Sequence, residues 1–453
     1  MAAPDAARPV DADEAGRLFQ PLTGYRRIAL AVSGGSDSLA LLVLVARWRA
    51  ALADGPDIHV FTVDHRLRPE ARNETAHVVA VAARFGLPAR VLSWTGAKPS
   101  ANRQAAARAA RRDLLCAGLR DIDGDALVLA HHLNDQAETF LLRLARGSGV
   151  YGLSAMRPSS SWQGVTVLRP LLEIGKARLT ASLRQAGIAW HEDPSNASNA
   201  YARVRMRALM PQLAGEGLSP RRLAATAGRL SGAAEALDHW VAMVLATAGT
   251  VHPAGVVCLD LAPLAELPQE VLLRLVATVL LQVTGAAYPP RLERLARLVE
   301  TLGGAEQVQA TLAGAVLRRQ EGRLFIWREH GRDGVAERVE ARPCSFIWDG
   351  RFAVTGTGAG VLRVRALAEV PEVRAQMTWP EGWPRAAFDT APVVDFCAER
   401  VGKDDVEGAT DAPYCPGLSA HLPPQGLDLR PLVRFARPDR PKNSLNSLHS
   451  PRI

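Results

Sequence analysis

Long uninterrupted apolar runs are missing from this 453-residue chain. The most apolar helical stretch, around Val271 to Val283, is broken by Arg274 and Gln282, whereas a membrane span needs about 20 nearly uncharged residues. No transmembrane segment is expected. Cysteine is scarce: Cys116, Cys258, Cys344, Cys397 and Cys415 form no CxxC pair, which speaks against a disulfide framework and offers no zinc-ligand spacing. Lysine is scarcer still, occurring only at Lys98, Lys176, Lys403 and Lys442, so arginine supplies nearly all positive charge. The N-terminal MAAPDAARPVDADEAG carries Asp5, Asp11, Asp13 and Glu14, where a secretory signal would have a basic start and an apolar run. A cytoplasmic location is expected.

What is present is ordinary globular usage, 48% hydrophobic and 22% charged, at a length that corresponds to about three domains of roughly 150 residues. Lys and Arg number 54 against 46 Asp and Glu, a net charge of +8 that suits a polyanionic partner. The surplus clusters locally. Arg103, Arg108, Arg111 and Arg112 occur with no acid among them, and Arg203, Arg205 and Arg207 alternate after an Asn-rich loop.

The first half alternates short apolar runs with longer stretches of helical period, the pattern of βαβ units around a parallel sheet. Strands are expected at Arg27 to Val32, Ile58 to Val63, Ala89 to Trp94, Ala126 to Ala130 and Val165 to Pro170, with helices beginning near Ser38, Asn73, Asn102 and Asp135. The fold class is therefore α/β: an open parallel-sheet domain over 21–215, whose ligands should gather at the carboxyl ends of its strands. Residues 1–20 read as a tail. From Ser219 to Leu302 the pattern is helical, followed by one strand pair from Gln307 through the Glu321-Gly322 turn to Trp327. That makes a mainly helical domain over 216–330, followed by a small β-rich domain over 331–400 and an irregular tail over 401–453.

Apolar RRIALAV runs straight into Ser33, Gly34, Gly35, Ser36, Asp37 and Ser38 and then into a helix. Glycines let the backbone approach a phosphate, successive N–H groups point at it, and the helix dipole favours negative charge there. Asp37 would repel a bare phosphate, which points to a Mg²⁺ ion between them. The loop is neither GxxxxGK[ST] nor GxGxxG. SGGxDS instead resembles the PP-loop of the ATP pyrophosphatase superfamily, which implies ATP cleavage to AMP and pyrophosphate. The second expected strand ends in VDHRLRP and the fourth in AHHLNDQAET. His131 and His132 lack the third His or Cys that a zinc site needs. Asp135 and Glu138, three apart, share a helix face and could bind Mg²⁺ or hold the ammonium groups of an amine.

VDHRLRPE, NRQAAARAARR, AHHLNDQAETFLLRLARGSGVYGLSAM, LRPLLEIGKARL and WHEDPSNASNAYARVRMRALMPQL follow one another in an order that resembles the bacterial tRNA(Ile)-lysidine synthases, densely over residues 25–215 and more weakly through TLAGAVLRRQEGRLFIWRE. The resemblance implies an ATP-dependent carbon-nitrogen ligase that adenylates the wobble cytidine of a tRNA(Ile) with a CAU anticodon. Free lysine then attacks through its side-chain amine. It further implies that Ser33, Gly34, Gly35, Ser36, Asp37 and Ser38 bind pyrophosphate with Asp37 at the metal, and that His131, Asp135 and Glu138 are active-site positions. Arg108 or Arg111 would contact ATP or the activated base, and Arg203 and Arg207 follow the loop Asp193 to Asn196. Asp135, Glu138, Arg203 and Arg207 would contact substrate. Asn134, Val204 and Arg112 depart from the family's usual Asp, Asn and Tyr. No nucleophilic cysteine is required, unlike in the neighbouring tRNA thiolases. The alternatives are another PP-loop ligase or amidotransferase, and a non-catalytic nucleotide- or RNA-binding module.

Overall fold

The computed structural model describes residues 8–66, 71–96, 98, 103–191, 202–286, 288–304, 306–397, 413–420, 423–425, 427–433 and 435. They divide into two compact units, Met1–Ala234 and Glu235–Ile453. The first unit contains α1 (Ala12–Phe19), β1 (Arg27–Ala31), α2 (Ser36–Ala50), β2 (Asp57–Asp64), α3 (Ala71–Arg84), β3 (Ala89–Ser93), α4 (Arg103–Asp121), β4 (Ala126–Val128), α5 (Leu133–Leu144), α6 (Val150–Leu153), β5 (Ser159–Trp162), β6 (Val165–Leu168), α7 (Lys176–Gln185) and α8 (Ala202–Gly215). The long helix α9 (Pro220–Ala248) begins in this unit and runs past its end.

The sheet has the order β3-β2-β1-β4-β6-β5, parallel throughout except for β5, which lies antiparallel on β6. Strand β1 has β2 on one side and β4 on the other. The order of connections therefore reverses beside it, and the carboxyl ends of β1 and β4 flank the crevice where such sheets take ligands. Helix α2 has Leu39 through Ala46 all buried, an apolar surface on every side that marks a helix enclosed by protein. Strand β5, SSSW, was not among the expected strands. It has no apolar alternation and forms through its hairpin with β6, where Gln163 and Gly164 both take positive φ.

Residues 1–20, expected as a tail, include a packed helix. Asp11 caps α1 by accepting the Glu14 N–H at 2.9 Å, a favourable arrangement at a helix start. Phe19 is fully buried, with its ring 5.8 Å from that of Trp48. Arg178 of α7 donates to both Glu14 oxygens at 2.7 and 2.6 Å, and the Val10 N–H donates to Ser182 Oγ at 3.0 Å.

The three helices expected between Ser219 and Leu302 all occur, but in the second unit the helical run also holds two strands that the sequence did not suggest. β7 (Gly249–Val251) and β8 (Val257–Asp260) interrupt it before α10 (Gln269–Thr284) and α11 (Leu292–Gly303). The turn between them, closed by the Gly255 N–H on His252 O at 2.8 Å, reverses the chain. The expected strand pair is three strands, β9 (Val308–Leu312), β10 (Ala315–Gln320) and β11 (Arg323–Arg328), because Ala313 and Gly314 form a further tight turn at positive φ. These make an antiparallel sheet of order β7-β8-β11-β10-β9, with Val257, Leu259, Val276, Leu280, Leu317 and Ile326 in one core.

Beyond lie β12 (Arg338–Ala341), β13 (Cys344–Trp348), β14 (Phe352–Gly356), β15 (Val361–Ala366), the short α12 (Pro371–Arg374), β16 (Pro392–Cys397) and β17 (Leu427–Pro431). They form two three-stranded sheets, β12-β15-β16 and β13-β14-β17, around Trp348, Phe352, Val354, Leu362 and Val364. Strand β17 falls in the stretch expected to be irregular, and pairs Val354 with Leu429. Most of the remaining 401–453 region lies outside the described residues.

Candidate active site

The glycine loop sits where β1 ends. Gly34 takes φ +84°, a conformation that side chains rarely adopt, and its carbonyl accepts the His191 N–H at 3.1 Å. The Ser38 hydroxyl closes the loop internally: it accepts the Ser33 N–H at 3.0 Å, lies 3.1 Å from Ser33 Oγ and donates to Gly35 O at 3.1 Å. Gly35, the N-cap of α2, has no side chain with which to cap the helix, and the unsatisfied first N–H groups of a helix are anion donors.

Asp37, second residue of α2, meets two other helix starts. One is the beginning of α5, where His132 is the N-cap: its Nδ1 accepts the Asp135 N–H at 3.4 Å while Asp135 Oδ2 accepts the His132 N–H at 3.1 Å, a reciprocal capping box. With Nδ1 accepting, the ring proton sits on Nε2, which lies 3.4 Å from Asp37 Oδ2 and 3.6 Å from Asp135 Oδ2. The other is the beginning of α7, whose first residue, Lys176, places Nζ 3.9 Å from Asp37 Oδ2. Burial works to raise the Asp37 carboxyl, but the His132 hydrogen bond and charge, with Lys176 and Ser36, outweigh it and hold it below its ordinary value. His132 answers in the opposite sense. Burial opposes its charge, while the Asp37 hydrogen bond and the Asp135 and Asp37 charges raise it above the usual imidazole value.

Sequence reasoning selected His131 and passed over His132 and Lys176. Both histidines follow β4, and only the structure decides which one turns toward Asp37. Lys176 lay inside the quoted LRPLLEIGKARL with nothing to mark it except the rarity of lysine. His131 is pushed down to about 4, first by burial and then by the nearby charges of Arg169, Arg203 and Arg111, against an upward pull from Asp135. It is therefore neutral at pH 7, and its Nδ1 is buried with no hydrogen-bond partner among the described residues.

Asp135 and Glu138 do lie on one face of α5, as their spacing predicts, but their surroundings differ. Glu138 is 2% exposed, and helix α8 saturates it: Oε1 accepts from Arg207 Nε at 2.7 Å, and Oε2 from Arg203 Nε at 3.0 Å and Arg207 Nη2 at 3.3 Å. Arg203 Nη2 also donates to Thr139 Oγ1 at 3.1 Å. The Glu138 hydrogen bond raises the Arg207 guanidinium above its ordinary value, against the effect of burial. Among the described residues, Asp135 Oδ1 has Arg203 Nη2 at 3.9 Å, and Asp135 is 16% exposed. Its carboxylate remains the more accessible of the two.

A third wall comes from β2 and α4. Asp64 is buried and its Oδ1 accepts the Arg66 N–H at 2.8 Å. Arg111 is half-buried, its guanidinium lowered by burial and by the adjacent Arg108 charge. Burial and the Arg111 charge together lower His65 as well. Arg111 thus acts on His65 at the end of β2 and on His131 at the end of β4, while Arg108 is exposed. Leu67 to Pro69 and the Asp193 to Asn196 loop lie outside the described residues. Asn134, where the family usually has Asp, accepts the Lys176 N–H at 3.0 Å. Val204 is half-buried on α8.

Among the described residues no group of three His, Cys, Asp or Glu could hold a metal. A single carboxylate, Asp37, beside a phosphate loop does fit Mg²⁺, which commonly takes one or two carboxylates and fills its octahedron with water and substrate phosphates.

Residues 9–213 match the model of the PP-loop domain family. The chain is 43% identical to a tRNA(Ile)-lysidine synthase of Bradyrhizobium sp. over 68% of its own length and 92% of that protein. It is 44% identical to the tRNA(Ile)-lysidine synthase of Rhodopseudomonas palustris over 70% of its length and 94% of that protein. Among solved structures, a U34-tRNA thiolase of Methanococcus maripaludis with its [4Fe-4S] cluster aligns at a TM-score of 0.42 and 17% identity, covering 48% of this chain and 78% of that one.

Proposed function

This chain belongs to the tRNA(Ile)-lysidine synthase family, and from that premise we propose that it joins free lysine to the wobble cytidine of a tRNA(Ile) with a CAU anticodon, spending ATP and releasing AMP and pyrophosphate. A cytosine ring carbonyl is a poor electrophilic site. Transfer of AMP to its oxygen turns that oxygen into a leaving group, and lysine's side-chain amine then displaces AMP. The observation that carries the reading is the meeting of three helix starts, those of α2, α5 and α7, around Asp37 at the mouth of the glycine loop. Each contributes positive potential at its N-terminus, and together they favour a polyphosphate.

In this reading Ser33 to Ser38 cradle the phosphates, and Asp37 would hold a Mg²⁺ ion, which would supply charge neutralisation at the phosphates. His132 orients Asp37 through Nε2. His131, neutral and with an uncommitted ring nitrogen, together with Arg111 and Arg108, faces the base and α-phosphate. Asp135 is the carboxylate placed to receive the ammonium of lysine. Glu138 holds Arg203 and Arg207 in position and does not take the amine, because its two oxygens already accept three guanidinium hydrogen bonds.

The test is pyrophosphate release from ATP by the purified chain. Release that needs tRNA(Ile), and lysidine formation that needs lysine as well, are expected. Pyrophosphate release with a small acid in place of tRNA would favour another PP-loop ligase, and no release under any condition would leave a binding module.

A further inference from the structure

Lys176 is a cation at the crevice that the sequence did not single out. We infer that its ammonium neutralises the pyrophosphate as it leaves ATP, and that Asn134 is the positioning residue that sets it there. The inference rests on the family-level reading of the chain as an enzyme that adenylates tRNA.

The backbone fixes where Lys176 begins. Asn134 Oδ1 accepts the Lys176 N–H at 3.0 Å, and the Leu133 N–H donates to Ile174 O at 3.0 Å. These two bonds staple the first turn of α5, the turn that follows His132, to the entry of α7. No side chain of the Gly175 N-cap serves that helix start, so Asn134 supplies its cap from a neighbouring element. The same bond therefore ends one helix's unsatisfied N–H and registers Lys176 against His132 and Asp37.

The side chain is not held as a structural bridge. Its Nζ is 3.9 Å from Asp37 Oδ2 and 45% exposed, and an ion pair this open is worth little to the fold. A lysine used purely for structure would also be odd in a chain that otherwise relies on arginine. The chemical difference is informative: a guanidinium would lock onto the Asp37 carboxylate as a planar fork, whereas an ammonium is a compact charge on a flexible stem that can exchange one oxygen partner for another. Lys98 does not compete for this role, since its Nζ donates to Arg66 O at 2.6 Å beside Trp94.

In the first half-reaction the cytosine carbonyl oxygen forms a bond to the α-phosphorus of ATP. The bond from that phosphorus to the bridging oxygen of the β-phosphate breaks, and its electron pair departs on pyrophosphate. No proton need move at Lys176. Negative charge grows on the leaving oxygen at the glycine-loop side of the crevice, and a preorganised cation there stabilises that growth more than it stabilises bound ATP.

The experiment uses the full chain with ATP, tRNA(Ile) and lysine. Lys176→Met keeps the alkyl stem and should leave the melting temperature and tRNA affinity unchanged. It should slow pyrophosphate release about tenfold to hundredfold, as expected for a lost charge-assisted contact, and weaken product inhibition by added pyrophosphate by a similar factor, with the KM for lysine unmoved. Lys176→Arg should recover part of the rate. Asn134→Ala should show a smaller loss in the same two quantities and Asn134→Asp, which keeps the acceptor, should be closer to wild type. The double variant Asn134→Ala with Lys176→Met should be no slower than Lys176→Met alone, because the first acts through the second. Pyrophosphate release at the wild-type rate with unchanged inhibition in Lys176→Met would overturn the role of the ammonium, and full additivity in the double variant would overturn the role of Asn134. Failure of wild type itself to release pyrophosphate with tRNA would be a different result, sinking the reading beneath and the inference with it.

Discussion

Asp135 and Glu138 share a face of α5, yet one is saturated by guanidinium groups and the other is not. That difference has a measurable consequence at the scale of single residues. Glu138→Gln keeps the shape but removes the charge that faces Arg203 and Arg207, and loss of charge-assisted bonds costs about 1.5–3 kcal/mol each before screening. The arginine side chains are 32% and 44% exposed, which moves the expectation toward the lower end. The variant should melt several degrees below wild type and lose turnover with both substrates, whereas Asp135→Asn should mainly raise the KM for lysine. A Glu138 variant that melts like wild type and differs only in its lysine KM would return the amine role to Glu138. The shared face of these carboxylates was legible from their spacing in the sequence. Their division of labour was not, because it depends on arginines more than sixty positions away, whose placement needs the fold. The choice between His131 and His132 was closed to sequence for a related reason: adjacent residues at a strand end point in opposite directions, and a one-residue ambiguity in where β4 stops exchanges them.

Elements were legible where the apolar period was strong. The five expected strands of the first half all occur, with ends displaced by a residue or two; β1, β2, β4 and β6 are largely buried apolar runs, whereas the edge strand β3 is half-exposed. Strands β5, β7 and β8 escaped notice because they are three or four residues long and owe their pairing to turns. The catalytic domain was expected to end at 215, and just beyond it the first turns of α9 bury Leu223 and Ala227 against Ala137, Phe140 and Leu141 of α5. Helix α9 thereby supports, from outside the expected domain, the helix that carries Asp135 and Glu138. A chain cut after Gly215 should be less stable than one cut after Ala234 by at least the burial of one leucine, about 1.5–3 kcal/mol, as read by thermal or urea unfolding of the two fragments. Equal stability would mean that this packing contributes nothing to the catalytic unit.

For the molecule as a whole, the α/β class and the order of motifs could be read directly, while the division into two units could not, since the helical period of α9 continues unbroken across residue 234. The unusual amine content was visible from the outset, but its meaning required the placement of Lys176. A protein with amines scattered over its surface reacts with acylating reagents indiscriminately. Here Lys176 is half-open at the crevice, Lys98 is tied to a carbonyl, and Lys403 and Lys442 lie far along the chain. An amine-selective ester at low dose, followed by peptide mass spectrometry, should therefore modify Lys176 readily and inactivate in proportion. ATP should protect Lys176 while leaving the labelling of Lys98 unchanged; a Lys176 reactivity indifferent to ATP would contradict its place beside the phosphates. Acylation of the single Lys176 ammonium would then serve both as a readout of site occupancy and as a means of switching the site off.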